Sequence, residues 1–212
     1  KGATLDRHPS VTFKLEFLQH SGSFKARGAA NFLATEAIPA AGVVAASGGN
    51  HGAAVAWAAA AAGHKATIFV PTISSPAKVE RLHRYGADVH QIGSVYAEAL
   101  AAAEQFASES GALAIHAYND ETVMSGAGTV AKDFMQQAPH LDAILVAAGG
   151  GGLAGGMATW LGDRVRLIVC ETDGTRAFAA ALAALGAKPR DLVSILRALK
   201  VAGALRADLE TL

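Results

Sequence analysis

The sequence predicts an α/β protein with two lobes, each built on an open parallel sheet, and a cleft between them. Short apolar segments alternate with helical segments along most of the chain, and this rhythm is typical of βαβ units. A loop near Asn119–Gly128 separates two such series. Because ligands usually bind where elements of this kind meet, we expect the functional site in the cleft.

The first series opens with Val11–Glu16, whose alternating apolar and polar residues predict a half-buried strand. A turn of small residues over Ser21–Ser23 leads into a helix over Phe24–Glu36, and Ser23 is its expected cap. Strands are then predicted at Val43–Ala46, Ala66–Val70, Val89–Ile92 and Leu113–Ala117, and helices at Asn50–Ala62, Ser75–Tyr85 and Tyr96–Ser108.

The second series contains a very apolar strand, Ala143–Ala147, whose composition suits burial on both faces of a sheet. The pattern weakens after Lys188, where Leu192–Leu205 is only weakly helical and no strand that would close the sheet can be identified. The other elements predicted here are helices at Gly128–Gln137, Gly152–Leu161 and Arg176–Leu185, and a strand at Val165–Cys170.

Composition excludes several classes of protein. The 18 basic and 18 acidic residues balance, which argues against a nucleic-acid partner that would require a basic face. The single cysteine, Cys170, allows no intramolecular disulfide and fits a reducing cytosol. No apolar stretch reaches the roughly 18 residues that a membrane span requires, and no signal peptide opens the chain. We therefore expect a cytoplasmic protein.

The run Gly149–Gly152 joins a predicted strand to a predicted helix. Several backbone N–H groups then meet a helix N-terminus, which is a favourable site for a phosphate group. A rival interpretation exists, because Gly150, Gly152 and Gly155 also satisfy G-x-G-x-x-G and Glu171 follows about twenty residues later, as in dinucleotide-binding folds. That interpretation gives no role to Lys25 or to the loop Ser47–Gly52.

The loop Ser47–Gly52 also joins a strand to a helix. Its backbone N–H groups and the Ser47 hydroxyl suit a carboxylate, and Asn50 suits a hydrogen bond to a ring oxygen. The plain alternative is that Ser47 and Asn50 only cap the helix. His51 is more typical of a packing residue at a helix start than of a catalytic base.

Lys25 follows small residues and an aromatic, so its amine is expected to be partly buried. Burial lowers the pKa of a lysine and frees the amine for imine formation. An imine-forming lysine together with a phosphate loop is what pyridoxal phosphate requires, because that cofactor carries one aldehyde and one phosphate.

Residues 14–29 (KLEFLQHSGSFKARGA) strongly resemble the cofactor-lysine segment of the serine/threonine dehydratase family. These proteins are fold-type II pyridoxal-phosphate enzymes of the tryptophan synthase β-like superfamily. The loop Ser47–Gly52 resembles the family's Ser-x-Gly-Asn-His loop, and Gly149–Leu153 resembles its tetraglycine loop. The stretches Pro71–Lys78 and Gly126–Val130 also have counterparts, and the resemblance covers about residues 4 to 178.

The resemblance implies a role for each matching residue. Lys25 would form the Schiff base with pyridoxal phosphate and move the substrate's protons, while Phe24 would pack against the cofactor ring. The phosphate would be held by Gly149, Gly150, Gly151 and Gly152 with the Leu153 amide. Asn50 would contact the ring hydroxyl, and the substrate carboxylate would be received by Ser47, Gly48, Asn50 and His51.

The implied reaction is the dehydration of L-threonine or L-serine, a small amino-acid substrate, to a 2-oxo acid and ammonia. Residues 1–38 and 126–212 would form a larger lobe and residues 39–125 a smaller one, and a homodimer is expected. Rival hypotheses are another fold-type II reaction (β-replacement or threonine synthesis), a relative that binds the cofactor without a finished site, and the nicotinamide-dependent oxidoreductase.

Three departures from the family pattern qualify this hypothesis. Related serine racemases carry a second serine where this chain has Gly48, so we expect little racemase activity. Glu171 matches an acid that helps bind a divalent ion in some relatives, but the residues after it supply no second acid at the matching spacing, so no metal is expected. The family's final strand, which contacts the pyridine nitrogen, has no recognisable counterpart in Lys188–Leu212.

Overall fold

A computed structural model of the chain describes residues 11–171. Six strands alternate with six α-helices over this range, after two short 3-10 turns at Glu16–Leu18 and His20–Gly22. The elements in order are α1 (Lys25–Thr35), β1 (Val43–Ala46), α2 (Asn50–Ala62), β2 (Ala66–Val70), α3 (Pro76–Arg84), β3 (Asp88–Gln91), α4 (Tyr96–Ser110), β4 (Leu113–Ala114), α5 (Glu121–Gln137), β5 (Ala143–Ala147), α6 (Gly152–Leu161) and β6 (Arg166–Cys170).

The first four strands form one parallel sheet in the order β3-β2-β1-β4. Every residue of β1 and β2 is buried, because helices cover both faces of these central strands. The alanine-rich α2 packs against them, and its small side chains allow a close approach; Ala54, Val55 and Ala59 are completely buried. The βαβ pattern predicted from the sequence is confirmed here.

Strands β5 and β6 form a second parallel sheet, with Ala143 paired to Arg166 and Ala147 to Cys170. Ile144 and Val146 are buried, whereas Leu145 between them is 66% exposed. The prediction that Ala143–Ala147 is covered on both faces is therefore wrong within residues 11–171, because the helices of the described chain pack on only one face of this strand.

Glycine residues let three helices cross closely. A Cβ atom on Gly28 of α1 would lie 2.7 Å from the carbonyl oxygen of Val123, and one on Gly156 of α6 would lie 2.2 Å from the carbonyl oxygen of Met124. No side chain fits at those distances, so α5 contacts both neighbours backbone to backbone. This packing places the first residue of α1, Lys25, beside the loop that precedes α6.

Three predictions about local structure are wrong. Val11–Glu16 is not a strand, since no strand of the described chain lies beside it and Glu16 instead binds Arg27 through contacts of 2.8 and 2.9 Å. Ser23 does not cap α1, because Phe24 occupies the cap position and the buried Ser23 hydroxyl has no hydrogen-bond partner among the described residues.

The loop predicted near Asn119–Gly128 is the third error. Helix α5 already begins at Glu121, and the Asp120 side chain caps it by accepting from the N–H of Val123 at 2.8 Å. An acid at the cap position satisfies one of the free N–H groups of the first turn. The segments Arg176–Leu185 and Leu192–Leu205 lie outside the described residues, and the lobe boundaries stay a prediction.

Candidate active site

Lys25 is the first residue of α1 and follows a tight turn. Ser21 and Gly22 adopt left-handed backbone conformations, with φ of 53° and 71°, and they reverse the chain just before the helix. The pKa of the Lys25 amine lies below its usual value because the side chain is buried. Its Nζ donates a hydrogen bond of 2.5 Å to the carbonyl oxygen of Ala117 and lies 5.2 Å from the centre of the Phe24 ring.

A cavity of about 290 Å³ opens beside this amine. Its lining consists of Phe24, Lys25, Tyr118 and the residues from Ala147 to Ala154. The structure thus brings together the predicted lysine, the predicted aromatic residue and the whole predicted phosphate loop, although the lysine and the loop are more than a hundred residues apart.

The Gly149–Gly152 loop has the geometry of an anion site. Gly151 has a φ of 83° and is the N-terminal cap residue of α6, which has no side-chain cap. The first N–H groups of the helix are therefore available to a ligand, and the helix dipole favours a negative charge there. A Cβ atom on Gly149 would meet no atom within 4 Å. These features fit the phosphate group of pyridoxal phosphate.

The Ser47–Gly52 loop is held by a hydrogen bond within the loop itself. The Ser47 hydroxyl accepts from the N–H of Gly49 at 3.2 Å, while Gly49 is the cap residue of α2 and no side chain caps that helix. The interpretation of Ser47 and Asn50 as helix caps is therefore wrong, and the Asn50 side chain is exposed. Neither Ser47, Gly48, Asn50 nor His51 lines the cavity beside Lys25.

His51 lies close to Lys25 in the interior. Its side chain is buried, and the Nε2–H donates to the carbonyl oxygen of Ile115 at 3.0 Å. Burial, together with electrostatic repulsion from the neighbouring Lys25 and His116 side chains, lowers the pKa of His51 to about 4. A cation is poorly solvated there, so His51 is neutral at physiological pH. It is a packing residue with one hydrogen bond, as the sequence indicated.

We expect acid to destabilise the fold through His51. Above pH 6.5 the imidazole is neutral in both the folded and the unfolded chain, so the free energy of unfolding does not change with pH through this group. Between pH 6.5 and its folded pKa of about 4, the unfolded chain binds a proton that the folded chain does not. The free energy of unfolding therefore falls as pH falls, by at most about 1.4 kcal/mol per pH unit from this group.

Urea unfolding between about pH 7 and pH 4.5 measures this slope. The variant His51→Gln keeps a donor but does not titrate, so it should lose this part of the pH dependence. Equal slopes for wild type and variant would contradict the prediction.

The segment 115–119 is the part of the site that sequence reasoning missed. The carbonyl oxygen of Ala117 accepts from Lys25, that of Ile115 accepts from His51, and His116 Nδ1 accepts from the N–H of Asn119 at 3.0 Å. Tyr118 lines the cavity. The only local signal is a cluster of polar and aromatic residues at the carboxyl end of β4, an edge where parallel sheets often bind ligands.

Glu171, the remaining candidate, immediately follows β6. Within residues 11–171, no group of three or more histidine, cysteine, aspartate or glutamate side chains could hold a metal ion. None of the helices in that range is long and apolar enough to cross a membrane.

Comparison with known proteins yields a consistent set of relatives. The family described as "Pyridoxal-phosphate dependent enzyme" matches residues 3–208. The chain is 44% identical over 168 residues to an L-threonine ammonia-lyase of Geobacter sulfurreducens, covering 76% of this chain and 42% of that protein. It is 41% identical over 175 residues to a serine racemase of Arabidopsis thaliana, covering 78% and 51% of the two chains.

Among solved structures, the processed form of threonine deaminase isoform 2 from Solanum lycopersicum superposes with a TM-score of 0.72 at 31% identity, covering 74% of this chain and 45% of that one. The chain thus spans about half the length of the relatives it matches. The α/β architecture with parallel sheets, predicted from the sequence, is confirmed as that of fold-type II enzymes.

Proposed function

Because the chain belongs to the pyridoxal-phosphate dependent enzyme family, we propose that the protein is an ammonia-lyase that converts L-threonine or L-serine to a 2-oxo acid and ammonia. The family is pyridoxal-phosphate dependent, which excludes the nicotinamide interpretation of Gly150, Gly152 and Gly155. The observation that carries the proposal is the shared cavity of the Lys25 amine and the Gly149–Gly152 loop.

Most of the residues that would hold the cofactor line this cavity, and Asn50 would contribute from outside its lining. The Lys25 amine would bond to the aldehyde, and Phe24 would pack against the ring. The loop Gly149–Gly152 with the Leu153 amide would bind the phosphate, and Asn50 would reach the ring hydroxyl. When bound, pyridoxal phosphate supplies an electron sink for the pair of electrons left when a proton leaves the substrate's α-carbon.

Lys25 is the group suited to take that proton. Burial lowers the pKa of its amine, so a larger fraction is neutral at physiological pH and can accept a proton at Nζ. Loss of the α-proton and of the β-hydroxyl as water leaves an enamine, which hydrolyses to the 2-oxo acid and ammonia. The carbonyl of Ala117 accepts a hydrogen bond from Nζ and so fixes the amine beside the cavity.

The Ser47–His51 loop would bind the substrate carboxylate. Its N–H groups and the Ser47 hydroxyl can donate to a carboxylate, and the exposed Asn50 amide can donate as well. His51 contributes as a neutral group, because its pKa of about 4 leaves it uncharged.

The proposed activity is tested by incubating the reconstituted full-length protein with L-threonine or L-serine and measuring the 2-oxo acid. Formation of 2-oxobutanoate or pyruvate supports the ammonia-lyase. The non-catalytic relative would bind the cofactor but form neither product. It would also form no product when a nucleophile for β-replacement, or O-phosphohomoserine for threonine synthesis, is added. Product formation only from those other substrates identifies β-replacement or threonine synthesis.

Gly48 makes a specific prediction about racemisation, since a serine racemase is among the relatives. Racemisation requires a proton donor on each face of the substrate, and Gly48 has no hydroxyl. Acid–base groups typically contribute about 10²–10⁴-fold, so we expect D-serine to form from L-serine at less than about one-tenth of the rate of pyruvate. If D-serine and pyruvate form at comparable rates, the prediction that Gly48 prevents racemisation is wrong.

The matched variant is Gly48→Ser. A Cβ atom at this position would lie 3.3 Å from Ser74 Oγ and 3.5 Å from Val70 Cγ1, so a serine fits after a small shift of the Ser74 hydroxyl. We expect this variant to raise the ratio of D-serine to pyruvate.

We also propose that residues 1–38 and 126–212 form the larger lobe and residues 39–125 the smaller one, that the protein is a homodimer, and that it acts in the cytoplasm. The two separate sheets support the lobes, and the single cysteine supports a reducing compartment. Sedimentation of the full-length protein tests the dimer.

A further inference from the structure

Tyr118 packs directly on the glycine loop. A Cβ atom on Gly150 would lie 2.5 Å from two ring carbons of Tyr118, and one on Gly152 would lie 2.9 Å from the Tyr118 Cβ. Real side chains do not approach that closely, so Tyr118 occupies the space that side chains at both glycines would need. The Tyr118 ring fits against the loop because Gly150 and Gly152 have no side chains.

The position of Tyr118 is determined by contacts on both sides of it in the chain. The carbonyl of Ala117, just before it, accepts from Lys25 Nζ at 2.5 Å, and the N–H of Asn119, just after it, donates to His116 Nδ1 at 3.0 Å. The His116 ring also packs edge-to-face on the Tyr118 ring, with 4.8 Å between their centres. The ring is therefore held against the loop by the same segment that binds the Lys25 amine.

Tyr118 also lies close enough to Tyr96 to influence it electrostatically. Tyr96, the first residue of α4, has a raised pKa because of its burial and of the neighbouring Tyr118 phenol. Tyr118 thus packs on the loop that follows β5 and also influences the first residue of α4, a helix that packs on the other sheet.

We propose that Tyr118 is a positioning residue of the phosphate site, whose ring holds the Gly149–Gly152 loop in the conformation that directs its N–H groups into the cavity beside Lys25. It acts through the loop and not on the reacting atoms. This inference rests on the proposed function, because the phosphate in question is that of pyridoxal phosphate.

The test compares pyridoxal phosphate with pyridoxal, which has the same aldehyde and ring but no phosphate. The contact is made by ring carbons, so Tyr118→Phe retains it and Tyr118→Ala removes it. Equilibrium titrations should show about tenfold weaker pyridoxal-phosphate binding for Tyr118→Ala. Pyridoxal binding by this variant, and both affinities of Tyr118→Phe, should stay within about twofold of wild type.

The variant Gly150→Ala provides a second, independent test of the contact between Gly150 and Tyr118. Its methyl group collides with the Tyr118 ring, so in the wild-type background it should weaken pyridoxal-phosphate binding by more than about tenfold. In the Tyr118→Ala background the collision is absent, and the same substitution should cost markedly less. Such non-additivity is the signature of direct contact between two positions.

Each remaining outcome decides the question. If wild type and Tyr118→Ala bind pyridoxal phosphate equally, or if the variant loses affinity for pyridoxal and pyridoxal phosphate alike, the inference fails while the proposed function stands. If wild type binds no pyridoxal phosphate, the proposed function fails as well. Should Tyr118→Ala not fold, as judged by circular dichroism, Tyr118→Leu replaces it in both experiments with the same expectations.

Discussion

Replacing Lys25 with alanine will abolish the near-visible absorption of the cofactor-loaded protein and reduce 2-oxo acid formation by at least about 10³-fold. The absorption depends on the covalent bond between the cofactor and the amine, and no other described amine lines the cavity. Among the residues that the structure describes, no other strong base lines the cavity to take the substrate's proton, since His51 lies outside the lining and its pKa of about 4 makes it a weak base.

The fold should survive this substitution. The Ala117 carbonyl that loses its donor lines a small cavity of about 10 Å³ together with Lys25. The space left by the lysine side chain enlarges that cavity, so a water molecule can replace the amine. Lys132→Ala is the matched control, because it removes an exposed lysine of α5 and should change neither absorption nor activity. A Lys25→Ala protein that keeps the absorption band would refute the cofactor assignment, whereas a band without turnover in the wild type favours the non-catalytic relative.

Replacing Gly156 with alanine will reduce the free energy of unfolding by about 3 kcal/mol. The added Cβ would lie 2.2 Å from the carbonyl oxygen of Met124 and 2.8 Å from the N of Gly128. Both are backbone atoms of α5, so the clash cannot be relieved by rotating a side chain, and the two helices must separate. Because α6 begins with the phosphate loop, cofactor affinity should fall as well.

Gly155→Ala is a closely matched control. Gly155 is the preceding residue of the same helix, and a Cβ there would meet only the methyl group of Met124, at 2.8 Å, which can move away. Alanine is favoured over glycine inside a helix by about 1 kcal/mol, so this variant should be neutral or slightly more stable. Urea unfolding of both variants checks the contrast; equal stabilities would show that the helix crossing tolerates a methyl group.

Local features of the sequence were sufficient for most of the secondary structure. The strands Val43–Ala46, Ala66–Val70 and Ala143–Ala147 and the helices Asn50–Ala62 and Gly152–Leu161 have the predicted bounds. Each combines a clear apolar pattern with a glycine, proline or cap residue at its end, and both signals act over a few neighbouring residues.

The errors occurred where a distant partner determines the conformation. Val11–Glu16 alternates like a strand, but Arg27 of α1 binds Glu16, and no neighbouring strand of the described chain completes a ladder. Helix α5 begins at Glu121, earlier than the predicted Gly128, and its first turns contain the glycines Gly126 and Gly128. In the structure these two glycines let α5 pack against α1 and α6, so tertiary contact outweighs their low helix propensity.

The sequence by itself determined which groups are available: an amine at the start of a helix, a tetraglycine loop before another helix, and the family that carries both. These follow from residue types and their spacing, which need no folding to be seen. Only the tertiary structure decided what surrounds them. The Lys25 amine binds a carbonyl 92 positions away, His51 becomes buried and neutral, and the Tyr118 ring packs on Gly150. Burial and close packing arise from contacts between segments distant in sequence, and no local pattern specifies them.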